Sequence, residues 1–451
     1  MWFINLGILE AIMEKYNKEI WGWMSYDWAA QPYNTLLITF IFAPYFTSTV
    51  VGDQVMGQSL WGMMTAIVGV TLAVLGPIFG AIADTTGRHK PWLIIFSILY
   101  VVGAFGIWWA IPGMYSVTWI MILFGIGMLG MELSQVFVNS MLPQISTNYN
   151  LGRISGNGWA LGYVGGLLSL FVVLLFLAEN KAGETMLGNP PLFNLDVESR
   201  EGTRSVGPLT AIWYIIFMVP FFLWVPDGKI KIQTGVICKA MKELGATIKR
   251  LPKNISFASY LVSSMFYRDA LLGIYTFGGI YASGVLGWSI IQIGIFGIIS
   301  GFAAAIFTYL GGFADKKYGP KLVIILCVLI LIIVCTLIVG TSRHQFFNAV
   351  LTEGSTLPDN LFLICGVCIG GAGGALQSAS RTMLVLQADD NRMTEAFGLY
   401  ALSGRATSWM APSLIASVTF FTQNQRMGIL PVIILFLIGL FPLIWVKTHE
   451  T

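Results

Sequence analysis

Residues 80–91 read GAIADTTGRHKP, and residues 311–321 read GGFADKKYGPK. Each stretch follows a long apolar run and opens another, so each marks a tight, basic turn between two membrane-length helices. A second correspondence lies further along. Residues 135–143, QVFVNSMLP, align without a gap on residues 377–385, QSASRTMLV, and the same offset places Gly156 on Gly398 and Gly162 on Gly404. Two anchors in the same order imply duplication of one unit.

The rest of the chain fits a membrane setting. Of its 451 residues 56% are hydrophobic and only 10% charged, against about 25% charged in an ordinary soluble domain. Mean hydropathy is +0.76. Breaking the apolar runs at charges, prolines and polar clusters gives twelve spans, beginning near Tyr33, Leu60, Trp92, Ser116, Ile154, Leu209, Ile255, Trp288, Lys321, Asn360, Glu395 and Met427. The fold expected is an all-α membrane protein with twelve transmembrane helices in two pseudo-symmetric six-helix bundles. The chain then divides into an interfacial or cytoplasmic segment (1–31), a first bundle (32–225), a cytoplasmic linker (226–254), a second bundle (255–446) and a tail (447–451).

Charge sets the orientation. On this assignment eighteen of the 25 basic residues fall in segments on the side of the termini and five on the other, which places both termini in the cytoplasm. The first thirty residues contain Glu10, Glu14, Lys15, Lys18 and Glu19, unlike a cleavable signal. Residues 8–24 have the weak pattern of an amphipathic surface helix. Trp21, Trp23 and Trp28 are expected to belt the first span to the headgroups, and the 179–206 loop is expected to be a solvated outer cap.

Several functions are disfavoured. A net charge of +3 without a basic, aromatic-interleaved patch gives no nucleic-acid site. Cys365 and Cys368 have CxxC spacing but no second pair and no neighbouring histidine, so apolar packing is the better reading than metal or redox chemistry. Gly125, Gly127 and Gly130 spell GxGxxG without a preceding strand, and no GxxxxGK[ST] loop is present. The three histidines, His89, His344 and His449, lie outside the spans and form no catalytic constellation, so neither an enzyme, a cofactor nor a metal is expected. His89 is read as an exposed bystander.

The loop residues Gly80, Asp84, Gly87, Arg88 and Lys90 resemble the signature of the major facilitator superfamily, and Gly311, Asp315, Gly319 and Lys321 resemble its second copy. Tyr26-Asp27-Trp28-Ala29, the run from Arg153 to Gly166, and Glu395 through Gly404-Arg405 resemble the vacuolar amino-acid effluxer-like branch, which includes bacterial proteins of largely unknown substrate. The resemblance implies a secondary transporter working by alternating access, a monomer in a bilayer, here a bacterial inner membrane. It also implies a gating loop of Asp84, Arg88 and Lys90 with Asp315 and Lys321 of the second copy, in which Asp84 bonds to the N-terminal amides of a facing helix while Arg88 and Lys90 reach acids across the bundle interface.

Charges inside spans are the candidate transport groups. One at a helix centre costs at least about 2.5–3.5 kcal/mol on insertion scales, so each requires a reason. Glu132, with Gln135 and Asn139 at i+3 and i+7, lies on one helical face that can line a wet cavity. Desolvation penalises an ionised carboxylate, so a glutamate there can load a proton on one side and release it on the other. Glu132 is the first choice for proton coupling and Asp269 the second. Arg268 and Arg405 can hold a substrate carboxylate. Gln377 and Arg381 are the repeat counterparts of Gln135 and Asn139, and Tyr33 and Asn34 can reach substrate from the first span. Structural networks are the competing reading for all of these. An amino acid or related zwitterion is the favoured solute with a proton, or sodium, as the coupling ion; a sugar or glycoside symporter and a lipid flippase are the alternatives.

Overall fold

The computed structural model describes residues 2–52, 54–147, 150–180, 182–228, 241–242, 244–247, 249, 251–288, 290–347, 349–352 and 354–447, with the backbone alone for 2–16, 54–55, 58–59, 252, 280, 283–284, 290–292, 294, 405 and 420. Most of the linker expected at 226–254, the apolar face of residues 8–24 and nearly all of the tail therefore lie outside the described side chains.

The principal helices are α1 (Trp2–Pro32), α2 (Gln54–Thr86), α3 (Lys90–Gly106), α4 (Thr118–Ser140), α5 (Leu151–Phe176), α6 (Val206–Trp224), α7 (Ile255–Leu286), α8 (Ile290–Tyr318), α9 (Pro320–Gly340), α10 (Leu357–Gln387), α11 (Met393–Thr407), α12 (Met410–Thr422) and α13 (Leu430–Leu440). A two-stranded ribbon, β1 (Gln345–Phe346) against β2 (Ala349–Val350), lies in the connection between α9 and α10. Among the described residues nine helices are long and apolar enough to cross a membrane. The first, seventh and eleventh crossings are the irregular or polar ones.

The chain forms two compact units: residues 1–145 with 161–240, and residues 146–160 with 241–451. In the first, α1 packs on α6 and α3 on α4; in the second, α7 packs on α13 and α9 on α10. The repeat is visible in the helix starts. The 242-residue offset that aligns Gln135 with Gln377 carries Leu151, which opens α5, onto Met393, which opens α11. Gly87 and Gly319, which end the two loop signatures' helices, both have left-handed backbone, with φ of +72° and +80°. A side chain disfavours that conformation, so the turn needs glycine at both places.

Local breaks follow from proline. Pro32 has no N–H to give the carbonyl of Trp28, four residues back. That carbonyl instead accepts from the indole of Trp213 on α6 at 3.1 Å, while the backbone beyond Pro32 continues as a π-helix over Tyr33–Phe40. The eleventh crossing is divided between Thr407 and Met410, just ahead of Pro412, which likewise cannot continue the ladder.

α1 is stitched to α4 by polar hooks on its large aromatics. The Trp23 indole donates to the Val138 carbonyl at 2.8 Å, the Tyr26 hydroxyl to Met131 at 3.2 Å and the Tyr33 hydroxyl to Phe124 at 2.9 Å. The three acceptors are seven residues apart, two turns each, and so share one face of α4. The expected headgroup belt is thereby corrected: Trp21 is exposed, but Trp23 is buried against α4 and Trp28 stacks on Trp213 at 5.6 Å. A tryptophan buries readily where its N–H finds a carbonyl.

The 179–206 loop is also more than a solvated cap. Glu179 is buried and accepts from the Thr203 amide at 3.1 Å and hydroxyl at 2.8 Å, with Arg200 at 3.6 Å. Arg204 is buried too, donating to the Trp108 carbonyl at 2.7 Å. Charges of this kind are buried because their hydrogen bonds are met, by the loop itself and by the Trp108 carbonyl.

In the second unit, Asp359 at the start of α10 accepts from the Trp288 indole and from Arg343, both at 2.6 Å, and Arg343 also donates to the Leu286 carbonyl at the end of α7. Asp359→Ala strands both donors. The groups are partly exposed, so the expected loss is about 1 kcal/mol. A melting temperature lowered by a few degrees, measured by scanning fluorimetry, checks it; an unchanged value removes this cluster from the stability account.

Candidate functional site

In the first unit the candidate residues converge on α4. Its flanking positions Leu133, Ser134, Val136, Phe137 and Val138 are buried, whereas Glu132, Gln135 and Asn139 all stay partly open. One polar strip therefore stays partly open on the otherwise buried C-terminal half of α4. On α1 the Tyr26 hydroxyl donates to the carbonyl of Met131, the residue before Glu132, at 3.2 Å, and the next residue of α1, Asp27, is 8% exposed. Sequence reasoning quoted Asp27 for its resemblance but did not choose it as a site residue. Its position near the end of α1, where it counts as interfacial by sequence, concealed that α1 continues into the bundle.

Asp27 approaches α5 at Gly162, where an added Cβ would lie 3.2 Å from the Asp27 carbonyl and 3.3 Å from its Cβ. Glycine at 162 thus permits the close approach of α5 to α1 at Asp27. Tyr33 has a different role from the one expected. It is fully enclosed, its hydroxyl is committed to Phe124 and its ring packs on Tyr100 at 5.0 Å, so in this structure it is a packing residue. Asn34 is partly open, and its carbonyl accepts from Thr39 at 2.8 Å within the π-helical stretch.

In the second unit Arg268 and Asp269 take separate partners, as neighbours about 100° apart on a helix must. The Arg268 guanidinium donates to the Tyr400 carbonyl at 2.9 Å and stacks on the Tyr400 ring at 4.0 Å. It lies over Gly404, where a Cβ would come within 2.7 Å of its Cζ. Asp269, 3% exposed, accepts at 2.9 Å from the amide of Ala411, which the break before α12 has freed. That is a helix N-terminus held by a carboxylate from another helix, favourable for both the orphan amide and the helix dipole. Arg381 is buried, with its guanidinium 5.1 Å from the Trp159 ring centroid, and Gln377 one turn earlier is partly open. The side chain of Arg405 lies outside the described residues.

The loop signatures are used within each unit. Asp227 accepts from the His89, Lys90 and Gly228 amides at 2.9, 3.3 and 3.0 Å and draws Arg88 to 3.5 Å. Lys90 donates to the Phe222 carbonyl near the end of α6 at 2.8 Å, and Lys321 to Val446 at the end of the last span at 2.7 Å. Within its own unit each of these basic residues has a partner. Unpaired carbonyls at a helix C-terminus attract the nearest ammonium. Repeat-related lysines therefore cap the sixth span of their own halves.

His89 is corrected as well: it is buried, with Nε2 3.8 Å from Asp84. Asp84 itself is partly open at the end of α2. Its repeat, Asp315, is 3% exposed and lies against the first turn of α5, so close that a Cβ on Gly152 would be 2.5 Å from its Cγ.

A family model described as vacuole effluxer Atg22 like matches residues 47–451. The chain is 25% identical over 451 residues to an uncharacterised MFS-type transporter, YxiO, of Bacillus subtilis strain 168, covering 98% of this chain and 97% of that one. It is 22% identical over 320 residues to autophagy-related protein 22 of Yarrowia lipolytica, covering 65% of this chain and 50% of that protein, so it spans about half of that fungal relative. Among solved structures it is similar to the major facilitator transporter FucP in its outward conformation, with a TM-score of 0.69 at 12% identity over 96% of this chain and 100% of that one. The proton:xylose symporter XylE bound to 6-bromo-6-deoxy-D-glucose gives 0.65 at 15% identity, covering 97% and 96%. At such identities these two show the fold.

Proposed function

The chain belongs to the Atg22-like vacuole effluxer family, and from that premise we propose that it carries an amino acid or related zwitterion across a bacterial inner membrane with protons as the coupling ion. It is an integral multi-pass membrane protein of the major facilitator fold and a secondary transporter. The proposal works by alternating access in a monomer with both termini cytoplasmic.

One observation carries the reading. Glu132, Gln135 and Asn139 form a polar strip on α4 that stays partly open between buried neighbours. The Glu132 carboxylate supplies a place for a proton, and the amides supply donors and acceptors for a polar solute. Glu132 takes the proton in this scheme. Arg268 is already spent on Tyr400, so a substrate carboxylate has to compete with that carbonyl for the guanidinium.

The test is a thermal-shift screen of the purified protein against amino acids, sugars, peptides and nucleosides, followed by uptake of the stabilising compound into proteoliposomes under an imposed pH gradient. Stabilisation by an amino acid and accumulation that collapses with a protonophore are the expected results. Stabilisation by sugars alone would transfer the reading to a sugar symporter, and accumulation that follows sodium instead of pH would replace the ion. Uptake of lipid without response to any soluble compound would make it a flippase.

A further inference from the structure

We infer that the second unit holds an anionic phospholipid at Arg426, in a groove between α9 and the start of α13. The groove has a volume of about 360 Å³ and walls that include Val339, Met427, Leu430 and Ile433, with Arg426 and Gln345 at its polar end. Phe347 completes that end, positioned at φ +50° in the turn after β1 with its ring over Gly340, where a Cβ would lie 2.6 Å from Cζ.

Two features define the occupant. First, the walls continue into exposed apolar rows, Leu326, Ile330 and Ile333 on α9 and Ile434, Leu437 and Ile438 on α13. In a membrane protein such rows face acyl chains, so a chain entering the groove from the bilayer stays in contact with hydrocarbon throughout. Second, the guanidinium at the groove's end is half-buried and has no carboxylate partner among the described residues. The other arginine at this end of the second unit, Arg343, is neutralised by Asp359 at 2.6 Å. A guanidinium beside an apolar wall binds a phosphate well, because its planar fork matches two phosphate oxygens and it sheds water more readily than an ammonium. Basic pockets between membrane helices take lipid headgroups by this chemistry. A single uncompensated positive charge selects a headgroup of net negative charge over a zwitterionic one. The chain thus recognises phosphate at one end and hydrocarbon along the rest.

The test uses the full-length protein, delipidated in detergent and titrated with phosphatidylglycerol or with phosphatidylcholine of the same acyl chains, bound lipids being counted by native mass spectrometry. One phosphatidylglycerol is expected to bind about tenfold more tightly than phosphatidylcholine. Arg426→Gln should erase that preference, and Leu430→Trp, which fills the groove, should weaken both lipids. Arg426→Lys, which keeps the charge, should retain part of the preference and serves if Arg426→Gln does not fold. Inorganic phosphate at millimolar concentration should fail to displace the lipid, since it makes no use of the walls. Equal affinity for the two lipids, an unchanged preference in Arg426→Gln, or displacement by inorganic phosphate alone would each overturn the assignment.

Discussion

Glu132→Gln is expected to abolish solute accumulation driven by a pH gradient while leaving exchange of labelled for unlabelled solute measurable. Glutamine keeps the size of the side chain and most of its hydrogen-bonding capacity but cannot gain or lose a proton. Exchange needs only that the loaded carrier cycle between its two faces; accumulation also needs proton movement in the same cycle. Removing the titrating group therefore uncouples the two, and gradient-driven accumulation should fall by at least about a hundredfold, in the range by which loss of one positioned proton-transfer group slows a reaction. Flux in proteoliposomes with an imposed gradient, measured in parallel with counterflow at equal pH, separates these outcomes. Full accumulation in Glu132→Gln would take Glu132 out of the mechanism and leave the buried Asp269 and Asp27 as the groups to replace next. Loss of exchange and accumulation together would mean that Glu132 binds the solute instead.

Asp269 was the second proton candidate, and its geometry shows what sequence can and cannot convey. A buried aspartate in an apolar span is conspicuous in a sequence, but its partner is not. The Ala411 amide is freed only because the chain breaks before Pro412, and it meets Asp269 across 142 residues. No local pattern announces such a contact. The capping bond gives Asp269 a structural task, which lowers its claim to proton traffic relative to the partly open Glu132. The same distance hid the substitution of Trp213 for the missing proline N–H at the Trp28 carbonyl, and the capture of Arg88 by Asp227.

Much of the architecture was legible because it was written twice. The repeated loop predicted paired helix ends, and Gly87 and Gly319 share their left-handed backbone while Lys90 and Lys321 share their acceptor position. The loop signature marks the lysines but not their acceptors: the helix-end carbonyls that hold Lys90 and Lys321 lie 132 and 125 residues away in sequence. Aromatic residues misled for a related reason. Tryptophan near a span end suits an interface, yet the indole of Trp23 suits a buried carbonyl equally well once another helix supplies one. Periodicity gives the face of a helix; which neighbour covers that face is settled by packing.

Glycine periodicity is the case in which a pattern predicts packing directly, and it supports a second large effect. Gly366, Gly370 and Gly374 recur every four residues on α10, which sets them on one face. Two of them meet α8: Gly366 lies under the Phe296 ring, and Gly370 lies against the backbone carbonyl of Ser300. A methyl group at 370 collides with main-chain atoms, which cannot rotate aside, so α8 and α10 must separate along their contact. Overpacking of this kind costs about 1–3 kcal/mol and more when backbone has to move. Gly370→Ala should therefore lower the melting temperature by about 5–10 °C, and Gly370→Leu should not yield folded protein. Gly166→Ala on α5 is the control. Its nearest neighbours are the side chains of Thr35 and Gln31, which can change rotamer, so a shift of about 2 °C is expected. Thermal unfolding of the three variants in one detergent decides the matter: equal shifts for Gly166→Ala and Gly370→Ala would mean that backbone contact does not set the α8–α10 distance.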